Sequence, residues 1–318
     1  MAFAIKPGWS KPSTILFASE FPANEKAFSF ALALATEFGS EIIILHAYDC
    51  CGMAASQKLP ERCLDCDTVS VEEQRLEHLA QRARDLHIRC KIVVRPGLAA
   101  DQILDFLHEQ KVDRIVMGTH SPGPIGKLLV GSVAEAVMRN ASVPVSIVGP
   151  EVIRDAYRNS AGRTILCSVG KHQTGSVVAH FAAELAATHN ARLILQNVIP
   201  QLESAEHLAG RSLDQIEAEL PSLIPARLQQ KIDVQTRVLL GDPTEELLYQ
   251  GRAQRASLIV MDAQGASRFA AITRAGIIYK VLAYAQCPVI TLSPILLAEC
   301  GARQEHQRTS EHCLAGVF

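Results

Sequence analysis

"MGTHSPGPIGKLLVGSVAEAV", residues 117–137, joins the end of an apolar run to a segment with helical periodicity through a turn rich in glycine and proline. A glycine-bearing turn that leads a strand into a helix exposes backbone N–H groups at the positive end of the helix dipole. Such turns commonly hold an anion, often a phosphate. The stretch therefore predicts a strand, a ligand-holding loop and a helix, and the rest of the chain shows how often this unit recurs.

A repeat organises the chain. "STILFASEF" near the start is echoed by "RTILCSVGK", and "VDRIVMGTH" with "SVPVSIVGP" is matched by "ASLIVMDAQ" with "QCPVITLSP". The matching stretches keep their order and lie roughly 150 residues apart, which is about one domain length. We therefore expect a first copy over residues 1–150 and a second over 160–297. A polar linker at 149–162 connects them, and 298–318 form a mobile tail.

Within each copy, short β-branched runs alternate with amphipathic segments, a pattern typical of βα units around a parallel sheet. The predicted strands of the first copy are 14–18, 41–47, 88–94, 114–117 and 143–148, and those of the second are 164–168, 192–198, 232–238, 258–261 and 289–292. In the helix before the third strand, an apolar face is expected to cover the sheet; it comprises Val71, Leu76, Leu79, Ala83 and Leu86. The fold class is α/β, with two doubly wound, five-stranded parallel-sheet domains.

Composition excludes several classes of protein. The 318 residues are 48% hydrophobic and carry a formal charge of −2, which gives no electrostatic basis for binding nucleic acid. The stretch before Trp9 and Pro12 has no long apolar run, so we expect no signal peptide, and no apolar run approaches the ~20 residues that cross a bilayer. We expect a cytoplasmic protein that does not bind membranes. Nine cysteines at irregular spacing in so long a chain are typical of reduced thiols, and Cys90, Cys167 and Cys287 are expected in the core.

The ordered repeats and the quoted loop resemble the universal stress protein family, in a tandem form with two family domains in one chain. Nucleotide-binding members of that family carry G-x2-G-x9-G-[ST] after the fourth strand. Gly118, Ser121, Gly131 and Ser132 reproduce this spacing, with serine in place of the second glycine. The resemblance implies a Rossmann-like fold, a role in stress-response signalling and, as in some members, binding of ATP or a related adenine nucleotide. It leaves the need for magnesium open.

The resemblance also implies which residues of the first copy contact the nucleotide. Glu20 stands where the family usually has an aspartate after the first strand, and Ala47 at the end of the second strand offers backbone groups to adenine. The phosphate side comprises Gly118, Thr119, Ser121, Gly131, Ser132 and Val133. Two alternatives stay open: Glu20 as a solvated loop carboxylate, and the loop as a packing turn without a ligand.

The second copy departs from this pattern. Gly170 replaces the acid, while Asp262 and Ala275 replace the first and third glycines. Asp262 would bring a negative charge towards a phosphate. We therefore expect the second copy to be degenerate and to bind no nucleotide.

Other functions have weaker support. The chain has no G-x-x-x-x-G-K-[ST], H-E-x-x-H or G-x-S-x-G motif, so we predict no catalytic residue and expect any ATP hydrolysis to be slow and incidental. An ATP-using enzyme is the third hypothesis. The second is a thiol or zinc sensor that uses Cys50, Cys51, Cys63 and Cys66, because C-x-x-C spacing suits a metal or a redox pair.

The apolar fifth strands suggest how the copies associate. "SVPVSIV" and "CPVITLS" are expected at sheet edges, where unpaired backbone groups invite another strand. We predict that these strands bring the copies together about a pseudo-two-fold axis as an intrachain pseudo-dimer. A further homodimer stays open.

Overall fold

A computed structural model of the chain describes residues 5–19, 25–48, 66–119, 130–153, 162–170, 174–201, 208, 210–263 and 276–300, without the side chains of 66–70. The first copy alternates strands and helices in the predicted order. Its elements are α1 (Pro7–Ser10), β1 (Thr14–Ser19), α2 (Glu25–Phe38), β2 (Glu41–Tyr48), α3 (Cys66–Asp85), β3 (Cys90–Pro96), α4 (Ala99–Glu109), β4 (Arg114–Gly118), α5 (Ser132–Asn140) and β5 (Val145–Val148).

The second copy repeats this order, except that shorter helical pieces stand in the place of α3. Its elements are β6 (Thr164–Ser168), α6 (Thr174–His189), β7 (Arg192–Ile199), α7 (Leu213–Glu219), a 3₁₀ turn (Leu220–Leu223), α8 (Ala226–Gln229), β8 (Val234–Leu240), α9 (Pro243–Ala253), β9 (Leu258–Asp262), α10 (Ile277–Tyr284) and β10 (Val289–Leu292). Residues 294–300 form a further helix. None of the described helices is long and apolar enough to span a bilayer.

All ten strands form one continuous sheet in the order β3-β2-β1-β4-β5-β10-β9-β6-β7-β8. Strands within each copy are parallel, whereas β5 and β10 pair antiparallel, with Val289 opposite Ile147. The predicted pairing of the two fifth strands is therefore confirmed. From each outer edge inwards, the strands of a copy occur in the order third, second, first, fourth and fifth, as expected of two doubly wound halves. The α/β fold class is confirmed.

Helices cover both faces of the sheet, which explains why the central strands are continuously apolar. One core layer lies under α2, α3 and α6, and the other lies under α4, α5, α9 and α10. Each layer contains residues from both copies, such as Phe28 and Phe181 in the first and Val137 and Val281 in the second. The two copies therefore share one hydrophobic core on each side of the sheet.

The structure corrects the predicted sheet-facing side of α3. Leu76, Leu79 and Ala83 are buried as expected, but Val71 is 46% exposed and Leu86 is 50% exposed. Five residues separate Val71 from Leu76, a rotation of about 500° that places Val71 roughly 140° away from the buried face. Leu86 follows the last helical residue and lies in a turn, with its N–H donating to the Ala83 carbonyl.

Three predicted strands begin two residues too early. The third and eighth strands begin at Cys90 and Val234, and the fifth begins at Val145. Ile88 is buried, but it lies in the turn after α3, where its N–H donates to the Ala83 carbonyl. Apolar residues at loop positions thus pack into the core without pairing in the sheet, and hydrophobicity alone cannot separate the two cases.

The ends of the predicted linker and tail are also more ordered than the sequence indicated. Val152 is buried, and the N–H of Ile153 donates to the Gln286 carbonyl at 3.0 Å. The helix of residues 294–300 enters the predicted tail and buries Cys300, because its apolar side packs on the core. Residues 154–161 of the linker and 301–318 of the tail lie outside the described residues.

Candidate functional site

In the first copy, the reversal of strand order falls between β1 and β4, which are adjacent strands with Phe17 opposite Val116. Ligands of doubly wound sheets bind beyond the carboxyl ends of the strands at this point. The predicted site residues that the structure describes lie at the ends of β2 and β4 and at the start of α5. The topology therefore brings them to the crevice where a ligand is expected.

Gly118 is the last residue of β4 and pairs with Val148 of β5. The next N–H, that of Thr119, still donates to the Val148 carbonyl at 3.2 Å. Both residues are half-buried. The backbone thus keeps its hydrogen bonding to β5 through Thr119, one residue beyond the end of β4.

Gly131 is the N-cap residue of α5, with φ −64° and ψ 154°. Any L-residue adopts this conformation, so the backbone does not require glycine here. An absent side chain leaves the first N–H groups of the helix uncovered, the arrangement that suits an anion. Ser132 is exposed and Val133 is half-buried in the first turn of the nine-residue helix. The N–H groups in the first turn of a helix have no intrahelical acceptor.

Ala47 lies one residue from the end of β2, half-buried and opposite Arg95 of β3. Its neighbour His46 is a residue that the sequence interpretation missed. The ring of His46 is buried, with Nδ1 3.3 Å from the Ser19 carbonyl and Nε2 3.3 Å from Oε2 of Glu72. The sequence did contain one indication of its special position. The alternation of β2 places His46 on the same face as Ile42 and Ile44, where an apolar residue was expected.

The second copy has different residues at most of the corresponding positions. Asp262 ends β9 where Gly118 ends β4, and Gly170 is exposed with open space where a Cβ would stand. The N-cap of α10 is Gly276, with φ −71° and ψ 129°, one residue after Ala275. A glycine N-cap is therefore present in this copy too, and the loss of the third glycine inferred from Ala275 does not extend to the helix start.

Comparison with known proteins identifies the family. A family model described as the universal stress protein family matches residues 13–149 and 162–293. The chain belongs to this family. A universal stress protein of Thermus aquaticus is 30% identical over 136 residues, which span 42% of this chain and 97% of that protein. One of Methanocaldococcus jannaschii is 24% identical over 150 residues, which span 42% of this chain and 93% of that protein.

A solved universal stress protein from Archaeoglobus fulgidus has the same two-domain extent. It aligns over 90% of this chain and 97% of its own with a TM-score of 0.68 at 18% identity. A functionally unknown protein from Pseudomonas aeruginosa aligns over 92% of this chain and 97% of its own with a TM-score of 0.61 at 15% identity. At these identities the likeness concerns the fold, and it supports the tandem arrangement of universal stress protein domains.

Several predicted residues of this universal stress protein lie outside the described residues: Glu20, Ser121, Ala275, Cys50, Cys51 and Cys63. Cys66 begins α3, but its side chain is also outside that set. Within the described part of the chain, no three histidine, cysteine or acidic side chains come together as metal ligands. The cysteine loop therefore stays a prediction.

Three cysteines outside that loop, Cys90, Cys167 and Cys287, lie in surroundings that disfavour the thiolate. Cys167 and Cys287 are buried, as predicted, whereas Cys90 on the edge strand β3 is only half-buried. Burial raises the pKa of Cys90 to about 11 and that of Cys287 to about 12, and it raises the pKa of Cys167 further. Because the thiolate is the nucleophile and the metal ligand, these three residues are suited to packing.

Proposed function

We propose that the first universal stress protein domain binds ATP or a related adenine nucleotide, and that the protein acts as a stress-response signalling module in the cytoplasm. The observation that carries this proposal is the joint placement of Gly118 and Gly131 at the β1–β4 crevice. Gly118 offers no side chain at the strand end, and Gly131 leaves the start of α5 uncovered. Phosphate oxygens would accept hydrogen bonds from the N–H groups around residues 131–133.

On this proposal the adenosine side of the ligand lies towards Glu20 and the end of β2. Ala47 contributes backbone groups there, while Thr119 and Ser121 flank the phosphates. The second domain is proposed to bind no nucleotide, because the Asp262 carboxylate at the end of β9 would repel a phosphate. The protein binds and signals on this proposal, and any hydrolysis is slow.

Calorimetric titration with ATP, with and without magnesium, tests the proposal. We expect one ATP per chain. Replacing Gly131 with valine places a branched side chain over the helix start and is expected to weaken binding more than tenfold, the equivalent of one lost charged hydrogen bond. The matched control is Gly276→Val, which makes the same change at the N-cap of α10.

Two results would contradict the proposal: normal ATP binding by Gly131→Val, or no binding by the wild-type protein at millimolar ATP. In either case the loop is a packing turn. Native mass spectrometry of the purified protein adds an independent measurement, because it detects co-purified nucleotide and would also detect zinc on the cysteine loop.

A further inference from the structure

The outer edge of the second copy is formed by β8, Val234–Leu240. In a strand, the backbone groups of successive residues point to alternate sides. The Asp233 carbonyl accepts from Leu193 of β7, and the Gly241 N–H also donates to β7, so the odd-numbered residues of this stretch face β7. The N–H and C=O groups of the even-numbered residues therefore face outwards, where no described strand pairs with them.

Glu217 of α7 and residues 234–239 line a groove of about 600 Å³ along this edge. Oε2 of Glu217 accepts from the outward N–H of Val238 at 3.3 Å, and Oε1 accepts from Oγ1 of Thr236 at 3.2 Å. A strand added to the edge would place its own carbonyl oxygens at the outward N–H groups of β8. The Glu217 carboxylate therefore takes the place of an acceptor that an added strand would supply.

The opposite edge of the sheet, β3, is protected by residues of the strand itself. Its last residue is Pro96, which has no N–H and stands at an outward position, because the next N–H, that of Gly97, donates to β2. Lys91 is exposed, and Arg95 forms an ion pair with α4. Proline and charged side chains are the usual protection of an edge strand. In β8, which also has seven residues, Leu240 stands in the place of the proline and is 43% exposed, so the protection of this edge comes from α7.

The sequence of β8 suits pairing with the β8 strand of a second copy. An antiparallel arrangement about a two-fold axis at Thr236 places Thr236 opposite itself and Val234 opposite Val238. Paired threonines are favourable and β-branched residues suit strands, while on the other face Gln235 lies opposite Arg237 without a like charge. The chain already joins its two halves by antiparallel pairing of corresponding strands, β5 and β10. A second copy could therefore extend the sheet at β8 by the same geometry.

Glu217 opposes this pairing in two ways. It accepts from the Val238 N–H, which the second strand would need, and the two-fold axis would bring the carboxylates of both copies towards the Thr236 pair, where like charges repel. We propose that Glu217 keeps a second copy of this chain from adding to the β8 edge, and that without its carboxylate two copies join their sheets through β8. This inference does not depend on nucleotide binding.

Sedimentation velocity over a range of protein concentrations tests the proposal. Glu217→Ala is expected to strengthen self-association about tenfold or more over the wild type, which corresponds to one charged hydrogen bond. Glu217→Gln removes the charge but keeps an acceptor for Val238, so it should associate to an intermediate degree. Glu219→Ala removes an exposed acid of the same helix and is the control, expected to sediment as the wild type does. If neither the alanine nor the glutamine variant of Glu217 associates more than the wild type, the proposal is overturned.

A charge exchange at the two-fold axis locates the interface. In the Glu217→Ala background, Thr236→Lys and Thr236→Glu each place like charges directly opposite one another and should abolish the association. Mixing the two double variants places a lysine opposite a glutamate and should restore the association as a heterodimer. Association that survives both substitutions at Thr236, or that the mixture does not restore, overturns β8 as the interface.

Discussion

The two copies use the same elements with different side chains at the ends of their strands. Both have a glycine N-cap in extended conformation on the helix after the fourth strand, Gly131 and Gly276. Only one has a carboxylate at the end of that strand, because Gly118 in the first copy is Asp262 in the second. The glycine N-cap is thus present in both copies, and on the proposed function the strand-end charge is what distinguishes the nucleotide-binding copy from the other.

The largest expected effect is a new binding site in the second copy. The double substitution Gly170→Glu with Asp262→Gly removes the like charge and supplies the missing acid, and the open space at Gly170 accommodates a side chain. If the proposed function holds, calorimetric stoichiometry should rise from one ATP per chain towards two, because a repulsive charge is removed and charged hydrogen bonds of ~1.5–3 kcal/mol become available. Asp262→Gly alone is the control. Unchanged stoichiometry in the double variant would contradict the role proposed for the strand-end charge.

The second prediction concerns the contact between copies. A Cβ at Gly149, just after β5, would lie 2.2 Å from the Leu282 carbonyl oxygen of α10. Gly149→Ala should therefore lower the free energy of unfolding by about 3 kcal/mol, since backbone must move to relieve the overlap. Gly170→Ala, whose Cβ would meet no atom of the described residues within 4 Å, should change it by less than about 0.5 kcal/mol. Denaturant unfolding measures the change in free energy for both variants. Equal effects would show that the copies are not in close contact at Gly149.

The third prediction uses an ion pair that joins the copies. Glu37 at the end of α2 accepts from Arg163 at 2.6 Å and from Nδ1 of His189 at 2.8 Å, both in the second copy. Partial burial acts to raise the pKa of Glu37, but the hydrogen bonds from His189 and Arg163 outweigh it and lower the pKa to about 2. Because the folded pKa lies below the unfolded one, this carboxylate stabilises the fold above about pH 4.5, and the contribution is lost as pH falls towards 2.

Replacing Glu37 with glutamine should therefore lower the free energy of unfolding at neutral pH by about 2 kcal/mol, after allowance for solvent screening. Wild type and variant should converge as the pH falls from 4.5 towards 2. Unfolding curves across this range measure the convergence. A constant difference at every pH would indicate a packing effect instead of an ion pair.

The smallest expected effect comes from the helices that follow the third strand of each copy. Asp242 caps α9 by accepting from the N–H groups of Thr244 at 2.8 Å and Glu245 at 3.0 Å, whereas Leu98 makes no side-chain cap on α4. Asp242→Ala should cost about 1 kcal/mol, and Leu98→Asp should stabilise the chain by up to about that amount. Thermal unfolding of the two variants tests the effects of removing one cap and adding the other. A destabilised Leu98→Asp would contradict the prediction.

Much of the fold follows from patterns that the chain repeats. The alternation of apolar runs and amphipathic segments determines ten strands, and the fifth-strand edges predict the β5–β10 pairing, because a buried strand has to complete its hydrogen bonds. The predictions are wrong at residues whose burial in the core does not follow from the strand or helix pattern of the sequence. Ile88 and Val71 are equally apolar, yet one is buried in a turn and the other is exposed on a helix. Local hydrophobicity does not encode which face of the completed sheet a residue meets.

The candidate site was predictable in part. The motif spacing indicated Gly118 and Gly131, because glycine is used where a side chain would block an approach. His46 was not indicated, since a single histidine in an apolar strand is ambiguous until the acceptors at Ser19 and Glu72 are seen on either side of it. Those acceptors come from elements 26 and 27 residues away in sequence. Contacts between elements this far apart in sequence are set by tertiary structure, so local sequence patterns do not predict them.

The antiparallel junction of β5 and β10 lies within one polypeptide. A symmetric homodimer of single-domain chains would repeat every substitution at both sites and would dissociate on dilution. In this chain the pairing is intramolecular, so it persists at any protein concentration, and each half can change independently of the other. Because both halves belong to one chain, Asp262 can stand at the strand end of one half while Gly118 stands at that of the other, and the two different strand ends always occur together in a fixed one-to-one ratio.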